Sequence, residues 1–84
     1  MDPITFRDFY TSIEEDAKKQ NIIANSFMDV CSVSCDLKVE NLVNVEMLID
    51  KTSLWQKRKI KEIIDQNAQN RGIEINYVNL SGDL

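Results

Sequence analysis

The chain has 84 residues, with ten Lys or Arg against fourteen Asp or Glu, two Cys and no His. That length makes a single domain, 1–84, whose small core buries roughly 60% of the unfolded surface or slightly more. A hydrophobic share of 43% beside 29% charged residues excludes a disordered chain, and no apolar run nears the ~20 residues of a membrane-spanning helix.

The opening, MDPITFRDFY, lacks the basic and apolar regions of a signal peptide, so the expected compartment is the cytoplasm. Asp2 is a helix N-cap and Pro3 suits the first helical position. Phe6, Phe9, Tyr10, Ile13 and Ala17 then form one apolar stripe at helical spacing. Lys18-Lys19-Gln20-Asn21 places cations near the last carbonyls and an Asn where the backbone turns left-handed. The spacing predicts a helix over 3–20. Ala24, Phe27, Met28 and Cys31 would extend the stripe, but Ile22 and Ile23 would then face water, so 22–29 is expected to be a turn or short helix.

Strict alternation follows. Cys31, Val33, Cys35, Leu37 and Val39 are apolar and the residues between them polar, which predicts a half-buried strand. A second alternating run holds Val43, Val45, Met47 and Ile49, broken at Leu48. Both strands turn odd-numbered residues inward. Directly paired residues share a face, so the connection must be odd in length; the simplest is Glu40-Asn41-Leu42, with Asn41 left-handed.

Ser53 with Gln56 three residues on matches a capping box, Ile60, Ile63, Ile64, Asn67 and Ala68 form an inner stripe, and Gly72 stands where a helix stops. The second helix is expected over 54–70. Ile73, Ile75 and Tyr77 alternate as a third strand, and the tail SGDL is expected to be loose.

The order α-β-β-α-β describes an α/β fold of the α+β type. It is a two-layer sandwich with a three-stranded mixed sheet and two amphipathic helices on one face. The second and third strands, joined through a helix, should run parallel with a right-handed crossover. The first strand lies either beside the second or between the other two. The outer face is expected to be polar, carrying Ser32, Ser34, Asp36, Lys38, Glu40, Asn44, Glu46, Glu74 and Asn76.

Cys31 and Cys35 share a strand face about 13 Å apart, too far for a disulfide. They are expected to be reduced core residues. Without His there is no Ser-His or Cys-His catalysis, and two thiols cannot close a zinc site. Asp36-Leu37-Lys38 is a D-x-K pattern on a predicted strand, with Asp29 upstream and Glu14 or Glu15 on the first helix. Carboxylates around a divalent cation with a strand Lys activate water in one large nuclease class. The pattern is short, however, and its residues also suit a solvated face. No Walker A loop, dinucleotide fingerprint, G-x-S-x-G or H-E-x-x-H occurs. No catalytic residue, metal or cofactor is expected.

The sharpest feature is SLWQKRKIKEII, residues 53–64. Between Lys51 and Arg71 six residues are basic and two acidic, a local +4; the remainder carries −8, leaving the net −4. Cations are disfavoured near a helix N-terminus, yet Lys57, Arg58 and Lys59 follow directly on the first turn. The combined positive potential suits an anion or a partner's carboxylates. On a helical wheel Trp55 lies off the Ile stripe, in line with Arg58, Lys59, Glu62 and Gln66. An outward Trp beside Arg has the composition of an interface hot spot.

The plain alternative is a solvated face, with Arg58–Glu62 and Lys61–Asp65 as helical pairs and Trp55 folded back over a sheet edge. The expected binding residues are Trp55, Lys57, Arg58, Lys59 and Glu62. The expected function is that of a non-catalytic protein-binding module, an adaptor, inhibitor or immunity-type protein. Its partner is another protein, such as a nucleic-acid enzyme, or a second copy joined through a sheet edge or the basic helix. The acids of the first helix (Asp2, Asp8, Glu14, Glu15, Asp16) and of the sheet (Asp36, Glu40, Glu46, Asp50) offer a second surface, suited to a basic site. Direct nucleic-acid binding through 53–64 is the alternative, opposed by a pI near 4.6. A metal-dependent nuclease is a remote third.

Overall fold

The computed structural model describes residues 1–23, 26–47 and 53–78. Two helices and three strands follow in the order α1 (Pro3–Lys19), β1 (Cys31–Cys35), β2 (Leu42–Met47), α2 (Leu54–Arg71) and β3 (Glu74–Val78), with a short 3-10 turn over Phe27–Asp29. The ends of the second predicted strand (Leu48, Ile49), with Asp50 and the tail, lie outside the described residues. Among the described residues no helix is long and apolar enough to cross a membrane.

Both helices begin and end as their cap residues dictate. Asp2 accepts from the Ile4 N–H, and Ser53 and Gln56 form the reciprocal capping box. At the far ends Asn21 (φ 58°) and Gly72 (φ 68°) are left-handed. Ile22 N–H then donates back to the Ala17 carbonyl, and Ile73 N–H to that of Ala68, both at 2.9 Å. These are Schellman stops, and each drives the next apolar residue inward. Ile22 and Ile73 are both buried. Ending α1 here is what lets Ile22 and Ile23 leave the wet face.

The sheet order is β1-β2-β3, with β1 antiparallel and β3 parallel to β2. This settles the place of β1, which flanks β2. Odd-numbered residues of β2 are buried together with Phe9, Ile13 and Ala17 of α1 and with Ile60, Ile63, Ile64 and Ala68 of α2 in one core. The opposite face is polar, with Ser32, Ser34, Glu74 and Asn76 exposed and Asn76 donating to Asn44 across the strands at 2.9 Å.

The connection between β1 and β2 differs from expectation. The first strand stops at Cys35, and 36–41 is a turn rather than the end of a nine-residue strand. Asp36 ends the strand. Its Oδ1 accepts the Lys38 and Val39 N–H groups at 2.8 and 2.9 Å, capturing donors that a longer ladder would have used. Leu37 is consequently 100% exposed, and Asp36, Lys38 and Glu40 belong to the loop, not to the outer sheet face. The partner of Val43 is Cys35, four residues further back on β1 than the Val39 that the short loop implied. Odd still meets odd, so the buried face is unchanged. Asn41 is left-handed as expected, with φ 61°.

Candidate functional site

Among the described residues one side chain of the start of α2 is hydrogen-bonded to another part of the chain. Gln56 closes the capping box with Ser53, and its Nε2 donates to the Ile22 carbonyl, in the turn after α1, at 3.0 Å. With Gln56 held inward, the neighbouring position points away from the core. Trp55 is 55% exposed and Leu54 46% exposed. The Trp therefore does not fold back out of water; it stands on the first turn as an open aromatic surface.

Arg58 is exposed beside it, with Lys57 and Lys59 half-buried. Positions 55, 58 and 62 follow at helical spacing, opposite the buried Ile60, Ile63, Ile64 and Asn67. The expected Arg58–Glu62 pair is replaced. Glu62 lies 3.8 Å from Lys59, a contact between largely exposed groups worth a few tenths of a kcal/mol. Lys57 and Arg58 have no ion pair among the described residues, and the first turn contains no acid. The five expected residues thus lie together on the first turns of α2. Trp55, Arg58 and Glu62 face outward, and Lys57 and Lys59 flank them.

The rest of the helix uses its charges internally. Lys61 pairs with Asp65 at 2.7 Å and stands 5.0 Å from the centre of the Tyr77 ring. The Tyr77 hydroxyl donates to Asp65 Oδ1 at 2.5 Å; burial first, then this carboxylate, push its pKa well above the ordinary tyrosine value. Arg71 reaches α1, bonding Asp8 at 3.0 Å and Ser12 at 2.8 Å, and also donates to the Asn67 Oδ1 at 3.1 Å. Asn67 is buried and donates to Asp16 at 3.0 Å and to the Ile63 carbonyl at 2.9 Å. Sequence reading missed this network, although a polar residue inside an apolar stripe was its signal.

The network also consumes part of the acidic surface expected on α1. Asp8 and Asp16 are bound to α2, while Glu14 accepts the Phe27 N–H at 2.8 Å and lies 3.7 Å from Lys18. Glu15 remains exposed.

The D-x-K pattern does not lie on a strand. Asp36 holds its own loop, and its two backbone donors, then Asn44, keep its carboxyl below the ordinary aspartate value. Among the described residues no three Cys, Asp or Glu side chains stand close enough to share a metal ion. Both cysteines are free thiols, and burial pushes Cys31 up to about 12, far from a nucleophilic thiolate at neutral pH. No protein family, no curated protein and no solved structure matches the chain.

Proposed function

We propose that this chain is a non-catalytic protein-binding module of the cytoplasm, an adaptor, inhibitor or immunity-type protein, and that it meets its partner through the first turns of α2. The observation that carries the reading is the exposure of Trp55 next to Arg58 and Lys57, whose charges have no partner among the described residues. A large aromatic surface left in water contributes nothing to folding and much to association once covered. The cations and the helix N-terminus add a positive potential that steers an acidic partner surface toward it. Glu62, at the edge of the patch, sets register by pairing with a partner cation.

A pull-down from the native cell extract tests this. The native chain should retain a partner that Trp55→Ala and Lys57→Glu/Arg58→Glu both lose, with each variant still folded by circular dichroism. Equal retention by all three would refute the reading. Nucleic-acid anisotropy between about 50 and 200 mM salt separates the rival. Steeply salt-dependent binding, lost in a Lys57→Glu/Arg58→Glu/Lys59→Glu variant, would assign the patch to phosphates instead.

A further inference from the structure

Among the described residues β1 ends the sheet, with no strand on its outer flank. The ladder shows which backbone groups lie on that flank. Asp36 N–H donates to the Leu42 carbonyl at 2.9 Å, continuing the pairing Ser34↔Asn44 and Cys35↔Val43. Bonded and non-bonded pairs alternate along an antiparallel ladder. Ser32 and Ser34 therefore turn their N–H and C=O groups to β2, while Cys31, Val33 and Cys35 turn theirs to the open edge. The strand along that edge carries no Lys, no Pro and no charge.

The strand is a palindrome, Cys-Ser-Val-Ser-Cys. Laid antiparallel on a copy of itself about Val33, it places each residue opposite its own kind. Cys31 faces the partner's Cys35, Ser32 the partner's Ser34, and Val33 the partner's Val33. The same register sets outward-turned backbone groups against outward-turned groups along the whole seam. A slip of one residue would oppose outward groups to inward ones and break the ladder. The other edge, β3 with Glu-Ile-Asn-Tyr-Val, has no such self-complementarity.

Beside this edge runs an open apolar groove of about 500 Å³, lined by Met1, Pro3, Phe6, Arg7, Tyr10 and Cys35. Cys35 belongs to both the groove and the edge, so a strand seated on β1 also covers the groove's rim and removes apolar surface from water.

We propose that the chain forms a twofold-symmetric homodimer through β1, joining two three-stranded sheets into one. The contact is isologous and uses up the edge it pairs, so it closes at two copies. It uses none of the α2 residues assigned to the partner and stands independently of that assignment.

Sedimentation equilibrium tests it on the full chain, from about 1 µM to about 1 mM, where weak specific association shows. The native mass should rise with concentration toward twice 9.7 kDa. Ser32→Lys/Ser34→Lys sets like charges opposite one another across the seam, at positions exposed in the single chain, and should weaken association about tenfold or more. Val33→Pro removes an outward N–H while sparing the bonds to β2 and should act likewise. Ser32→Lys/Ser34→Glu opposes unlike charges across the seam and should restore the dimer. Trp55→Ala should dimerise as the native chain does. A native chain that stays at one mass throughout overturns the proposal. So does a dimer that survives both edge variants, or one that Trp55→Ala abolishes.

Discussion

The two ends of α2 are built from similar residues and put to different uses. From the middle of the helix to its C-terminus, Lys61 is held by Asp65 and the Tyr77 ring, and Arg71 is tied to Asp8, Ser12 and Asn67. At the N-terminal end Trp55 is open, and Lys57 and Arg58 have no ion pair among the described residues. Helix propensity does not separate the two ends, since Lys and Arg are good helix formers at either. What differs is the rest of the chain. Toward the C-terminus α1 supplies Asp8 and Ser12 to Arg71, and β3 supplies Tyr77 to Lys61 and Asp65. On the first turns Gln56 is, among the described residues, the one side chain hydrogen-bonded to another part of the chain. A cation held by several partners serves the fold, whereas one left to solvent beside an exposed Trp remains available to another molecule.

Perturbing each end separately tests the contrast. The largest loss should come from the buried stripe they share. Ile64→Ala should cost about 2–5 kcal/mol in urea unfolding, because the side chain is fully buried between helix and sheet. Asn67→Ala should follow at about 1–3 kcal/mol, because it strips the buried partner from Arg71 and Asp16 at once. If Asn67→Ala proved neutral, the network would not be what distinguishes the C-terminal end.

Alkaline titration examines that end by another route. Tyr77 and Cys31 both have folded pKa values raised above their ordinary 10.0 and 9.0. Their contribution is therefore complete below those ordinary values. It declines above them, because the unfolded chain loses these protons first. Stability should fall from about pH 9 upward, and Tyr77→Phe should flatten the upper part of that decline. Asp36 acts with the opposite sign. Its carboxyl is lowered from 3.8, so its contribution is present above that value and is lost as the pH falls through the folded value. Asp36→Ala should remove this acid-side dependence and loosen the loop, seen as faster amide exchange at Lys38 and Val39. The smallest effect on stability should come from the N-terminal end. Trp55→Ala and Lys57→Glu/Arg58→Glu should each stay within about 0.5 kcal/mol of the native chain.

Features set by one or two neighbouring residues were legible in the sequence. The caps at Asp2 and Ser53, the left-handed Asn21, Asn41 and Gly72, and the inward parity of the strands all follow from local chemistry. The turn at 36–41 was obscured because Leu37 and Val39 continue the apolar alternation, although Asp36 already offered a side chain that competes with a strand for backbone donors. The binding patch was legible as a set of residues, because their spacing alone places Trp55 with Arg58 and Glu62. The Lys61–Asp65 pair was legible from its four-residue spacing, but the openness of Trp55, the loss of the Arg58–Glu62 pair and the ties of Arg71 were not. Those answers depend on pairings such as Arg71 with Asp8, which only the packing of α1 on α2 brings together.

The most direct test of the central claim is site-specific photo-crosslinking along the exposed line of α2 in the native cell, with the crosslinker placed in turn at Trp55, Arg58, Glu62, Gln69 and Asn70. The account predicts one protein captured strongly from Trp55 and Arg58, less from Glu62, and not from Gln69 or Asn70, which are also exposed, at the other end. Capture that is uniform along the helix, or strongest from Gln69 and Asn70, would contradict it.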